Sequence, residues 1–132
     1  MKKLLLITLL FSQLLIAQKE FTHEVYFETD AFEVPPTEHN RLLMFLSEIE
    51  SIEISKVSIY GFTDDRGSDS YNLILSQDRA NSIKTIFSNN EFDESVITNV
   101  DGKGKILLKL IKENDLSKIR GLNRKVEIIV SS

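Results

Sequence analysis

The run from Tyr60 to Ala80, Y-G-F-T-D-D-R-G-S-D-S-Y-N-L-I-L-S-Q-D-R-A, admits few folds. It starts at the end of a short β-rich segment, Val57-Ser58-Ile59-Tyr60, with Gly61 expected to end the strand. It then crosses a loop of Asp and Gly and enters a helical pattern. Asp64 opens the loop, Asn72 falls in the first turns of the helix, and Arg79 follows seven residues later. Seven residues are about two helical turns, so Asn72 and Arg79 share a face. An anion, a cation and an amide are thereby directed to one small cleft at a strand-to-helix junction. Such a cleft suits a zwitterion: the carboxylate takes an ammonium, and the guanidinium grips a carboxylate in a fork. Charge placement alone favours a plain Asp64–Arg79 ion pair that pins the loop to the helix, with Asn72 as a cap or turn stabiliser.

The motif itself favours the cleft. Gly61 to Ala80 resembles the signature of the OmpA-like peptidoglycan-binding domain, which reads roughly G-H-T-D-x-x-G-x-x-x-Y-N-x-x-L-S-x-x-R-A. A second family block, N-R-R-V-E-I, is matched by Asn123-Arg124-Lys125-Val126-Glu127-Ile128. The resemblance implies an α/β (α+β) two-layer sandwich in βαβαβ(α)β order, with helices packed on a mixed sheet. It also implies site roles. Asp64 matches the aspartate that receives the ammonium of diaminopimelate in the wall's stem peptide. Arg79 matches the arginine that binds the diaminopimelate carboxylate, Arg124 an arginine beside the same pocket, and Asn72 and Thr63 hydrogen-bonding neighbours that shape it. On this reading Asp64→Ala and Arg79→Ala lose binding while the fold survives.

The chain departs from the family in three places. Phe62 stands where His is usual, which is expected to alter pocket hydration or a hydrogen bond. Lys125 replaces a second arginine; strand alternation puts it opposite Arg124, away from the site. The segment from Lys103 to Leu122 matches weakly.

The other elements follow from periodicity. Phe21, His23, Val25 and Phe27 alternate with polar neighbours and predict a first strand, with His23 partly buried rather than a ligand. Pro35-Pro36 primes a helix from Thr37 to about Ser51, burying Leu42, Phe45, Leu46, Ile49 and Ile52 and leaving Glu38, Arg41 and Glu48 to solvent. Ser68 or Asp69 caps a second helix from about Ser70 to Phe87, ended by Asn89-Asn90. The strand–helix–strand–helix order implies parallel pairing through crossovers. Val96-Ile97 and Val100 suggest a short strand, and Gly102-Lys103-Gly104 a turn. Leu107, Leu108, Leu110, Ile111 and Leu116 suggest a further helix, and Val126, Ile128 and Val130 a last strand.

The N-terminus reads as an address. Met1-Lys2-Lys3 and the apolar run Leu4 to Ile16 fit a secretory signal peptide over residues 1–18, with residues 19–132 as the domain. The run is short for a membrane span of ~20 residues; an uncleaved anchor is the alternative. Cleavage removes two lysines and moves the formal charge from −4 to −6. No transmembrane segment is expected in the mature chain. A net acidic protein is a poor nucleic-acid binder, and a chain without cysteine has no thiolate site or lipid-bearing cysteine. Asp64, Asp65 and Asp69 lack the spacing of a Ca²⁺ loop, and no nucleophile–base pair is apparent. The expectation is therefore a periplasmic binding module of a diderm bacterium, with no cofactor, no metal and no enzymatic activity, whose partner is peptidoglycan. The alternative is an interaction subunit of an envelope complex that keeps the fold and docks a protein partner.

Overall fold

Four strands and three helices make up the described residues of the computed structural model, 18–109 and 115–132. In chain order they are β1 (Glu20–Tyr26), α1 (Pro36–Ile49), β2 (Lys56–Thr63), α2 (Asp69–Asn89), β3 (Ile97–Lys105), α3 (Leu116–Asn123) and β4 (Lys125–Ser131), with a 3₁₀ turn at Glu94–Val96 before β3. Apart from Gln18, the expected signal peptide lies outside the described residues, as do Leu110 and Ile111 of the expected further helix. Among the described residues, no helix is long and apolar enough to cross a membrane.

The sheet order is β1-β4-β2-β3. β1 and β2 run in the same direction, as the crossover through α1 requires, but they are not neighbours. β4 lies between them, antiparallel to both, and only β2 and β3 pair in parallel. The sheet is therefore mixed. The reason is apolar content: Val126, Ile128 and Val130 of β4 are fully buried, so β4 takes a central position and the more polar β1 and β3 take the edges. Ile128 sits opposite Ile59 of β2 and His23 of β1, and Val126 opposite Val25.

One sheet face carries α1 and α2. Leu42, Phe45 and Ile49 of α1 and Ala80, Ile83 and Phe87 of α2 close over Val25, Val57, Ile59, Val126, Ile128 and Val130. Ser68 caps α2, its Oγ accepting from the Tyr71 amide at 3.2 Å. Glu38 corrects an expectation: it is buried, not solvent-facing. Its Oε1 accepts from the Tyr26 amide (2.9 Å) and its Oε2 from Arg41 (2.6 Å). The amide that ends an edge strand needs an acceptor, and the first turn of α1 supplies one. His23 is partly buried as expected, its ring stacked on Phe45 at 4.9 Å.

The glycines correct two more. Gly61 does not end β2, which runs on to Thr63, and Gly102 and Gly104 lie inside β3 instead of forming a turn. A Cβ at Gly61 would sit 1.9 Å from the Ser76 carbonyl oxygen, and one at Gly102 2.4 Å from the Gln77 amide nitrogen. These glycines let the α2 backbone rest directly on the sheet. Leu107 and Leu108 lie in irregular chain, Leu107 being 72% exposed, and α3 begins only at Leu116.

Candidate functional site

The pocket forms where β2 ends and α2 begins. Asn72, at the start of α2, folds the intervening loop back on itself: its Nδ2 donates to the carbonyls of Arg66 (2.6 Å) and Ser68 (3.0 Å). Gly67 permits that path with φ of 91°. Two cations brace the loop from outside. Lys105 reaches the Gly67 carbonyl (2.9 Å) and Asp69 (3.0 Å), and Arg120 of α3 holds Asp65 through two hydrogen bonds, at 2.9 and 3.1 Å. Through Lys105 and Arg120 the weakly matching region supplies a brace to the loop, and none of its described residues lines the pocket.

The resulting cavity has a volume of about 240 Å³, and Thr63, Asp64, Asn72, Arg79 and Arg124 all line it. Sequence positions 63, 79 and 124 are brought together because β2 and β4 are neighbours and α2 crosses their ends. Phe62 does not line it. Alternation sends its ring to the outer sheet face, 5.6 Å from Lys125 Nζ, which is itself bonded to Glu24 and Glu127. The Phe62 side chain is thus directed away from the pocket it was expected to touch, and Lys125 is directed away from the site as expected.

Asp64 and Arg79 do not pair with each other. The Asp64 carboxylate accepts from Arg66 N (3.1 Å), Nε (3.3 Å) and Nη2 (2.8 Å), and lies 3.5 Å from Arg124 Nη1. Arg79 is fully buried. Its Nε donates to the Ala31 carbonyl (2.7 Å), its Nη1 to Phe62 (3.0 Å) and its Nη2 to Glu28 (3.0 Å), and its guanidinium packs on the Phe27 ring at 5.2 Å. Three of its five N–H groups are thus committed to backbone. Arg124 Nε donates to the Phe27 carbonyl at 2.9 Å.

Sequence reasoning missed Arg66, two residues from Asp64 and its main partner. It also missed Asp30, which lines the pocket with φ of 56° and accepts from the Tyr71 hydroxyl at 3.2 Å. The adjacency of Arg66 to Asp64 could have been read as a signal; nothing local links Asp30 to the loop.

The charges are out of balance. Asp30 and Asp64 face Arg66, Arg79 and Arg124, an excess of one positive charge in an acidic protein. Burial, followed by repulsion from Arg124, lowers the Arg79 pKa to about 10, so it stays charged at neutral pH but is destabilised there. An anion between the two guanidiniums relieves both effects. Burial raises the Asp64 pKa, but the Arg66 hydrogen bonds and charge and the Arg124 contact outweigh it, leaving the net pKa below its ordinary 3.8. A depressed folded-state pKa contributes stability above the ordinary value, and that stability is lost as pH falls through the folded value. Denaturant titrations across acid pH are therefore expected to show a steeper acid-side loss for wild type than for Asp64→Asn. Equal slopes would contradict an ionised, paired Asp64.

Comparison with known proteins places these features in context. The model of the OmpA family matches residues 26–121. Outer membrane protein A of Bordetella avium is 30% identical over 112 residues, covering 85% of this chain and 56% of its own length. The chain thus spans little more than half of that relative. The peptidoglycan-associated lipoprotein from Burkholderia pseudomallei superposes with a TM-score of 0.62 at 22% identity, over 81% of this chain and 88% of that one. The cell wall anchor of the T6SS from Pseudomonas aeruginosa does so with a TM-score of 0.64 at 20% identity, over 91% and 90%. At such identities the two structures establish the fold.

Proposed function

The chain belongs to the OmpA family, and on that premise we propose that it binds peptidoglycan non-covalently in the bacterial envelope, through the diaminopimelate of the stem peptide. The observation that carries this reading is the pairing, in one pocket, of a buried carboxylate with two guanidiniums in cationic excess. The free end of diaminopimelate carries an ammonium and a carboxylate on one carbon. The carboxylate is received between Arg79 and Arg124, and the ammonium is received by Asp64, with Asp30 close by. Thr63 and Asn72 hold the two sides at fixed separation. The relatives point the same way: one is named for association with peptidoglycan and another as a cell wall anchor. The chemistry is recognition without bond breaking, and a single site of this size binds weakly, about micromolar to millimolar, gaining strength from repetition along the wall.

Co-sedimentation with purified diaminopimelate-containing sacculi tests the reading. Wild type is expected to pellet, and free meso-diaminopimelate to compete. Asp64→Asn, folded by circular dichroism, is expected to bind ~10–100-fold more weakly, the worth of one charge-assisted hydrogen bond of about 1.5–3 kcal/mol. Sacculi with lysine in place of diaminopimelate lack the second carboxylate and should retain little protein. Undiminished binding by folded Asp64→Asn would remove the assignment.

A further inference from the structure

The strands point their charged pocket to one pole. The other pole carries a larger groove, of about 590 Å³, between the C-terminal ends of α1 and α2. The floor comprises Leu43, Leu46, Ile52, Ile54, Phe92 and Val96, which remain partly exposed at the edge of the core. The rim is acidic and exposed: Glu50, Glu91 and Asp93 line it, with no lysine or arginine among the lining residues. β2 spans the distance between the two sites; its eight residues extend ~25 Å at about 3.3 Å each. Both can therefore be occupied together.

Glu91 stands out on that rim. α2 ends in a Schellman-type turn, with the Phe92 amide on the Phe87 carbonyl at 3.1 Å. Glu91 occupies the left-handed position of the turn with φ of 60°, where glycine is usual. Its replacement by glycine therefore removes a rim charge without disturbing the backbone.

We propose that this groove docks a short amphipathic helix of a partner protein, its apolar stripe on the floor and its flanking lysines or arginines over the acidic rim. Charge decides the occupant. An anionic lipid surface would be repelled by Glu50, Glu91 and Asp93. A second copy of this chain, meeting it isologously, would set two acidic rims against each other. A basic helix satisfies both floor and rim, in the manner of helix-in-groove recognition. The inference is independent of wall binding. Together the two sites would make the domain a bridge between the wall and a protein.

Two labelled helical peptides of about four turns test this, one with leucines at i, i+3, i+4 and i+7 flanked by lysines, the other with the lysines changed to glutamates. Binding of the lysine peptide is expected, at least ~10-fold tighter than the glutamate peptide. Amide NMR shifts are expected at Leu46, Ile52, Phe92 and Val96 and not at Thr63, Asp64 or Asn72. Glu91→Gly with Asp93→Asn is expected to weaken lysine-peptide binding several-fold while the Tm holds or rises. Asp64→Asn should leave peptide binding intact, so failure here is distinguishable from failure at the wall. The proposal is overturned if neither peptide binds, if the rim variant binds undiminished, or if shifts fall outside the groove. Capture by phosphatidylglycerol vesicles through this face, or rim-dependent self-association in sedimentation, would equally overturn it.

Discussion

Arg79→Ala is expected to cost ~3–5 kcal/mol of folding stability, from three buried carbonyls left without a donor and the packing of a large buried side chain. The side chain is wholly buried and bonds three carbonyls, of Glu28, Ala31 and Phe62. Two of these lie in the connector after β1 and the third in β2, so Arg79 ties the connector to the sheet beneath it. Alanine leaves the three acceptors to find water in the space vacated, each at about 1–3 kcal/mol if it fails. The sum falls below simple addition, because the connector can relax outward. Against a typical total of ~5–15 kcal/mol, the loss is large. Arg79→Lys keeps the charge but cannot span three acceptors from one point, and should fall between. Urea unfolding monitored by circular dichroism checks the order. An Arg79→Ala loss within ~1 kcal/mol of wild type would show that the carbonyls are easily rehydrated. Arg79→Ala is therefore expected to lower stability as well as binding, and Asp64→Asn is the cleaner probe of the ligand.

Gly61→Ala is expected to cost about 3 kcal/mol or more, at or above the upper end of ordinary overpacking. The added methyl would meet the Ser76 carbonyl oxygen at 1.9 Å and its carbon at 2.9 Å. Both atoms are backbone in the middle of α2, so no rotamer change gives relief; the helix must lift from the sheet. Lifting α2 also displaces Asn72 and Arg79, so wall binding should fall with stability. Gly102→Ala presses the same turn of α2 from β3, meeting Gln77 N at 2.4 Å and Ser76 Oγ at 2.5 Å, and should behave alike. Gly121→Ala is the control. Its methyl would come no nearer than 3.7 Å to Arg124 Nη2, and a helical alanine gains about 0.5–1 kcal/mol over glycine. Differential scanning calorimetry of the three variants would decide. A Gly61→Ala midpoint matching that of Gly121→Ala would mean that α2 lifts from the sheet at little cost.

The two positions divide differently between sequence and structure. Arg79 was legible as a site residue from its place in the motif, and it does line the pocket. Its structural duty was not, since its acceptors at positions 28 and 31 are about fifty residues away and carry no side-chain signature. Gly61 and Gly102 read as punctuation because a glycine's local meaning is a turn. Their actual meaning is the approach of another element, which no window of sequence contains. Glu38 follows the same pattern: periodicity assigned it to solvent, and the Tyr26 amide across the chain drew it in.

By itself the sequence determined the family, the order of strands and helices, a cap at Ser68 or Asp69, the apolar faces that became the core, and the five residues that meet in the pocket. These are carried by local periodicity and motif spacing, which depend on backbone geometry repeated every few residues. Only the tertiary structure decided that β4 enters between β1 and β2, that Arg66 rather than Arg79 holds Asp64, that Phe62 faces away from the pocket, and that an acid-rimmed groove opens at the far pole. Each of those depends on which distant segments pack side by side. That choice follows from burying the most apolar strand and satisfying each buried polar group, and it is made by the whole chain at once.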